Sequence, residues 1–193
     1  MTIHKNNPAK GTSMLEIEAK IIGIDKKKIE ERLRKLGAHK VFDGIIDANI
    51  YDFPNKSIQS RKELLRLRLE GKKAVLTYKA RAKGTSDKQA KQRNEYEVEV
   101  SDFRTMQKIL EHIGVQSEGK SHHYVKHRTS YHLGKTHIEI DTLTLPVQVP
   151  TYLEIEAPSI KEIQRVAHLL GYGPEDCKAW TMRDVLVHYH KKF

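Results

Sequence analysis

The sequence predicts an α+β protein whose helices cover the apolar faces of strands that carry charge on their other face. Three observations carry that prediction. First, Leu15 to Ile22 alternates with period two, setting Leu15, Ile17, Ala19 and Ile21 against Glu16, Glu18 and Lys20. Second, the alternation recurs in Glu97-Val98-Glu99-Val100 and Glu154-Ile155-Glu156-Ala157. Third, each of these stretches precedes a helix-like segment bounded by a capping residue and a glycine: 25 to 37, 102 to 114 and 159 to 171, twelve positions each time. Asp25, Asp102 and Ser159 suit an N-cap, and Gly37, Gly114 and Gly171 suit the left-handed position that closes a helix. The chain repeats a strand-then-helix unit whose strand bears two carboxylates on one face.

The elements follow in order. Ile29, Leu33 and Leu36 fall at helical spacing, so the first helix is amphipathic, with Lys26-Lys27-Lys28 on a solvated side. Residues 39–53 read as extended, and Pro54-Asn55 ends them, with a loop to about Lys62. Leu64 to Glu70 sets Leu65, Leu67 and Leu69 against Arg66, Arg68 and Glu70; a hairpin through Gly71-Lys72 returns as Ala74 to Ala80, with Lys79 on the face of Val75 and Thr77. Arg81 to Arg93 loses the pattern and reads as a mobile basic loop. Asn94 to Val100 resumes it, with Glu95, Glu97 and Glu99 on one face. A second helix buries Phe103, Met106, Ile109, Leu110 and Ile113. Then His122 to Leu133 places Tyr124, Lys126, Arg128 and Ser130 together, and Lys135 to Thr142 places His137, Glu139 and Asp141 together. Pro146 and Pro150 make 144–151 a connection. Helices over 159–170 and roughly 174–189 finish the chain.

A length of 193 residues suits one domain, expected over 14–193, with residues 1–13 as a flexible N-terminal tail. Cys177 is the only cysteine, which excludes an intrachain disulfide and fits a reducing, cytoplasmic setting. No apolar run approaches a membrane span, and no membrane partner is expected. The net charge of +10 favours an anionic partner, with nucleic acid, nucleotide and polyphosphate all open at this point.

Two motifs mislead. Gly114 to Ser121 satisfies the spacing of a phosphate-binding P-loop, but a P-loop needs a strand before it and a helix after it, and the order here is reversed. Among the eleven histidines, His188-Tyr189-His190 and His122-His123 invite a metal reading, but neither has the i, i+4 spacing that sets two imidazoles on one helical face, and no cysteine assists. No Ser-His-Asp order supports a nucleophilic enzyme.

The strands share something more informative. Acidic positions Glu16, Glu18, Glu95, Glu97, Glu99, Glu139, Asp141, Glu154 and Glu156 alternate in the chain with basic Lys20, Arg66, Arg68, Lys79, Lys126 and Arg128. With helices on the apolar faces, these charges either meet solvent on an open sheet or line a closed one. Burying them unpaired costs on the order of several kcal/mol each, so an enclosed version must be wet, pair its charges or hold ions. A hydrophilic tunnel satisfies all three. Glu and Asp bind Mg²⁺ or Mn²⁺, the metal binds phosphate, and Lys and Arg neutralise the remaining phosphate oxygens. Both signs together point to a metal-bound, multiply charged phosphate chain.

Glu16-x-Glu18-x-Lys20, Arg66-x-Arg68, Lys79, the Glu95 to Glu99 run, Lys126-x-Arg128, Asp141 and Glu154-x-Glu156 resemble the CYTH family, the triphosphate tunnel enzymes, over about 14–186. Leu76-Thr77-Tyr78-Lys79, Glu97-Val98-Glu99-Val100 and Asp184-Val185-Leu186 resemble its class IV adenylyl cyclase branch. The resemblance implies a closed antiparallel eight-stranded β-barrel with helices packed outside, metal-dependent work on a nucleoside or inorganic triphosphate, and often a homodimer. It further implies catalytic roles for Lys20, Arg66 and Arg68. Glu16, Glu18, Asp141, Glu154 and Glu156 become the metal ligands. Lys20, Arg66, Arg68, Lys79, Lys126 and Arg128 hold the triphosphate, with Glu95, Glu97 and Glu99 as supporting acids. Two departures stand near the expected tunnel ends: the proline-containing 143–152 segment, and Ala80 after the strand lysine. Three functions follow: a cyclase making cyclic AMP and pyrophosphate from ATP, a hydrolase of inorganic or organic triphosphate, or a non-catalytic binder of polyphosphate or RNA. The last explains the net charge but leaves the carboxylates without a role.

Overall fold

A computed structural model describes residues 14–82, 87–117 and 122–190. The expected tail at 1–13 and the second half of the false P-loop, 118–121, lie outside the described residues. Strands β1 (Met14–Ile21), β2 (His39–Tyr51), β3 (Leu64–Glu70), β4 (Lys73–Arg81), β5 (Lys91–Val100), β6 (His123–Leu133), β7 (Thr136–Leu145) and β8 (Tyr152–Glu156) alternate with helices. The helices are α1 (Lys26–Lys35), α2 (Ser57–Ser60), α3 (Phe103–His112), α4 (Ile160–Leu169) and α5 (Met182–Tyr189).

The three repeated helices begin and end where the sequence places them. Asp25, Asp102 and Ser159 accept hydrogen bonds from the backbone N–H of Lys28, Thr105 and Glu162, each satisfying a donor that the first helical turn leaves free. Gly37, Gly114 and Gly171 follow with φ of 75°, 93° and 85°, a conformation that costs a residue with a Cβ.

Three expectations need correction. β5 starts at Lys91, so the last part of the supposed 81–93 loop is strand; the pattern fades because the outward positions Gln92 and Asn94 are polar. The last helix runs only over Met182–Tyr189, because Thr181 caps it in a box with Asp184, and 174–176 forms a separate 3-10 turn. The 54–62 loop contains the short α2, held by Asp52, whose carboxylate accepts hydrogen bonds from the N–H of Phe53, Ile58 and Gln59.

The eight strands close into an antiparallel barrel in the order β1-β5-β4-β3-β2-β6-β7-β8. Directly opposed residues share a face, so the register alone sorts the side chains. Glu18 opposes Glu156 on one side and Lys91 on the other, and Lys20 opposes Glu154. Arg128 opposes Asp141, Thr77 opposes both Arg66 and Glu97, and Lys79 opposes Glu95. The charged face is therefore one continuous surface, and closure turns it into a lumen.

Three apolar clusters stabilise the barrel. Ile29 and Leu33 of α1 and Ile163, Val166 and Ala167 of α4 pack outside, on Ile17, Ala19, Ile21, Ile138, Ile140, Leu153 and Ile155. Leu110 of α3 packs outside on Tyr51 and Leu67. Full burial of each such side chain contributes about 1.5–3 kcal/mol. The third cluster is different. Val185 and Leu186 of α5 join Ile46, Ala48, Tyr124, Leu143 and Tyr152, which the register places on the inner face. Thus α5 sets apolar side chains against the inner face of the barrel. Leu15, expected in the core, and Ile109 and Ile113, expected in the buried stripe of the second helix, are exposed, and Leu110 is the buried residue of α3.

Candidate active site

The lumen is lined by an alternating chain of cations and carboxylates. Lys79 Nζ contacts Glu16 Oε1 at 2.5 Å and Glu95 Oε1 at 3.4 Å. Lys20 Nζ bridges Glu18 Oε1 at 3.4 Å and Glu154 Oε1 at 3.0 Å. Arg128 donates through Nε and Nη2 to the two oxygens of Asp141, at 2.7 and 2.6 Å, and reaches Glu139 Oε2 at 2.5 Å and Glu154 Oε2 at 3.5 Å. Lys126 Nζ donates to Asp141 Oδ2 at 2.5 Å. Arg68 donates to Thr77 Oγ1 at 3.2 Å and to Glu97 Oε2 at 3.1 Å. Arg66 Nη1 donates to the Tyr124 hydroxyl at 3.1 Å.

The residues expected to work together are thereby brought together, at different depths. Glu16, Glu18, Lys20, Arg68, Lys126 and Asp141 are buried. Glu95 and Glu97 are partly covered, whereas Glu99 stands at the rim, its side chain 61% exposed beside Lys73. Glu156 also lies toward an end, 3.9 Å from His137 Nδ1.

Sequence reasoning set Glu139 on the charged face without making it a ligand, and assigned no role to Lys91, Tyr124 or Tyr152. Lys91 donates to Glu18 Oε1, the oxygen that Lys20 also approaches. Its signal was available, because positions 91 and 93 continue the period of Glu95, Glu97 and Glu99. Glu139 completes a cluster with Asp141 and Glu154 in which one ligand oxygen from each lies within 4.8 Å of the others. Tyr124 shares the period of Lys126 and Arg128, and Tyr152 that of Glu154 and Glu156, and both occupy the charged face.

Burial and neighbours set the charge states. Burial pushes the Glu16 carboxyl up to about 8, Glu18, Glu95 and Glu156 reinforce the shift, and Lys79 offsets part of it. Glu18 and Glu154 are equally buried, but Lys20 beside both, with Lys91 beside Glu18 and with Lys126 and Arg128 beside Glu154, holds them well below the usual carboxylate range. Burial, Lys20 and Lys79 pull the Lys91 ammonium down against the attraction of Glu18. Burial raises Glu139, with Arg128 opposing.

The donor set fits a divalent cation. It consists of hard carboxylate oxygens, three of which converge, and Glu16 Oε2 is buried with no hydrogen-bond partner among the described residues. The cations of the same lining fit a polyanion, and a lumen fully lined in both signs can hold a metal-chelated phosphate chain.

Comparison with known proteins agrees with this geometry. Residues 14–173 match the CYTH domain model, and the chain belongs to the CYTH domain family. A protein of Methanocaldococcus jannaschii, provisionally named an adenylate cyclase, is 31% identical over 101 residues, 52% of this chain and 56% of that protein. The chain thus spans about half the length of this curated relative. Among solved structures, a Vibrio parahaemolyticus protein with the same provisional name superposes with a TM-score of 0.76 at 14% identity, covering 91% of this chain and 99% of that one. A Pyrococcus horikoshii protein superposes at 0.70 with 24% identity, covering 88% and 98%. A Hippeastrum protein, provisionally named an adenylyl cyclase and described as having a dominant triphosphatase activity, superposes at 0.58 with 15% identity, covering 93% and 96%. These structures share the fold. No helix among the described residues is long and apolar enough to cross a membrane.

Proposed function

We propose that this chain is a metal-dependent enzyme acting on a triphosphate, and that its reaction is the cyclisation of ATP to cyclic AMP and pyrophosphate. The observation that carries the reading is the closed lumen of alternating charge, where Lys20, Lys79, Lys126, Arg66, Arg68 and Arg128 all point inward. In that role they bind the phosphate chain and stabilise charge on the leaving pyrophosphate, in a site that needs no reorganisation during the reaction. Asp141 fixes Arg128 and Lys126, since its oxygens accept hydrogen bonds from both. Glu139, Asp141 and Glu154, with Glu16, Glu18 and Glu156, would hold Mg²⁺ or Mn²⁺. When bound, the ion would polarise a phosphoryl oxygen and neutralise developing charge. Cyclisation further requires the ribose hydroxyl in line with the α-phosphorus. The name of the M. jannaschii relative supports the cyclase reading. A cytoplasmic setting fits the single cysteine, and a homodimer is the assembly we favour.

Triphosphate hydrolysis is the second reading. The cation lining addresses only phosphate oxygens, which inorganic triphosphate shares, and the Hippeastrum fold neighbour has that activity. Product analysis separates the two. ATP with Mg²⁺ or Mn²⁺ should give cyclic AMP and pyrophosphate; ADP and phosphate, or faster cleavage of inorganic triphosphate without a cyclic product, would give the assignment to the hydrolase. Arg66→Ala should lower turnover by about 10²-fold. Weakened RNA binding as its only effect would identify a nucleic-acid binder instead.

A further inference from the structure

Beyond Arg128 along β6, the inner face of the barrel changes from charged to aromatic. The register sets Phe42 opposite Ser130, and His132 opposite both His39 and His137, so these side chains share the face of Arg128 and Glu139. Ser130 is 2% exposed, and its hydroxyl is buried with no hydrogen-bond partner among the described residues. His132 and His137 stack, with ring centroids 4.8 Å apart and planes 18° apart. His137 Nδ1 lies 3.6 Å from Glu139 Oε1 and 3.9 Å from Glu156 Oε2, which tethers the pair to the carboxylates. The Phe42 ring lies against Gly44, where a Cβ would stand 3.1 Å from its Cζ, so the bare backbone of Gly44 lets the ring lie along the wall. A phenyl ring serves neither phosphate nor a divalent cation, and a buried hydroxyl without a partner costs free energy that an arriving polar edge removes. Flat rings beside such a hydroxyl suit a planar heterocycle, whose faces stack on aromatic side chains and whose edge carries hydrogen-bond donors and acceptors. Ser130 and Arg128 are same-face neighbours along β6, about 7 Å apart, a separation that a ribose bridges between a base and its first phosphate.

We propose that Phe42, Ser130 and His132 form the subsite for the base of the nucleoside triphosphate, and that they are the residues by which this chain tells a nucleotide from inorganic triphosphate. The base stacks on the rings of Phe42 and His132, His137 backs His132, and the Ser130 hydroxyl meets the edge of the base. This rests on the ATP reading above and supplies what that reading lacks, since the cation lining addresses only phosphate oxygens.

Calorimetric titrations with α,β-methylene-ATP and with inorganic tripolyphosphate, both with Mg²⁺, test the assignment through the ratio of the two affinities. Phe42→Leu and Ser130→Ala should each lower nucleotide affinity about 10-fold relative to tripolyphosphate affinity, through loss of a stacking surface and of a hydrogen bond to the base. Should Phe42→Leu not fold, Ser130→Ala, which removes a single oxygen, carries the same comparison. A ratio within twofold of wild type, or a parallel loss of both ligands, would overturn the base subsite. A wild-type protein that binds tripolyphosphate but not the nucleotide would instead overturn the ATP reading, and one that binds neither would overturn the triphosphate reading. Both of those outcomes are visible before any variant is made.

Discussion

Glu16 is where burial and function meet most directly, because its carboxyl is raised to about 8 while one oxygen has no partner. The unfolded chain releases this proton near pH 4.5 and the folded chain retains it until about pH 8. As pH rises through that window, the unfolded state binds fewer protons, so this group's contribution to stability is lost, by on the order of a few kcal/mol. Metal-free Glu16→Gln should therefore gain melting temperature relative to wild type between pH 5 and 8. A constant difference across that range would show that Glu16 titrates normally. Asp52 presents the opposite case: burial raises its carboxyl, but three backbone N–H donors outweigh it and hold the carboxylate low. Asp52→Ala leaves those donors unmatched and should cost about 2–4 kcal/mol in denaturant unfolding. It lies outside the lumen, so tripolyphosphate affinity should stay within twofold.

Strand β5 shows at the element scale what a sequence pattern can and cannot carry. Lys91 donates to Glu18 while burial, Lys20 and Lys79 disfavour its charge, so the ammonium is held at a cost. Lys91→Met should leave the melting temperature unchanged or raised, and should weaken tripolyphosphate binding about 10-fold through loss of one lumen cation. A lower melting temperature with unchanged affinity would make Lys91 structural. The sequence expectation began this strand at Asn94 and not at Lys91, because polar Gln92 and Asn94 on the outer face erase the contrast that marks alternation. Where the outer face is apolar, as with Ile17, Ala19 and Ile21 or Ile138 and Ile140, both the strand and its inward charges were legible. Tyr124 and Tyr152 share the period of the charged residues beside them, but a tyrosine looks the same in a core and in a polar lumen, so the pattern assigned neither a role. The inner position of Val185 and Leu186 was equally hidden, since helical spacing reports an apolar face without saying which side of the barrel it meets.

At the scale of the whole molecule, one of the three apolar clusters meets the inner face of the barrel and includes Tyr124, the partner of Arg66, while the other two lie outside. Stability and binding should therefore be coupled through α5 and uncoupled through α3. Leu186, 2% exposed, and Leu110, 4% exposed, offer matched truncations. Either change to alanine removes comparable apolar volume from a packed site and should cost about 2–5 kcal/mol. Leu186→Ala opens space beside Tyr124, whose hydroxyl accepts from Arg66 and must keep its position to within a fraction of an ångström to hold that guanidinium well. Its tripolyphosphate affinity should fall about 10-fold, whereas Leu110→Ala, packed on the outer Tyr51 and Leu67, should bind within twofold of wild type. Calorimetric titration at a temperature where both variants are fully folded makes the comparison. Equal affinities would show that α5 packs on the inner face without ordering Arg66. Equal losses would show that the barrel responds as one elastic body, with no special link between the inner cluster and the lumen charges.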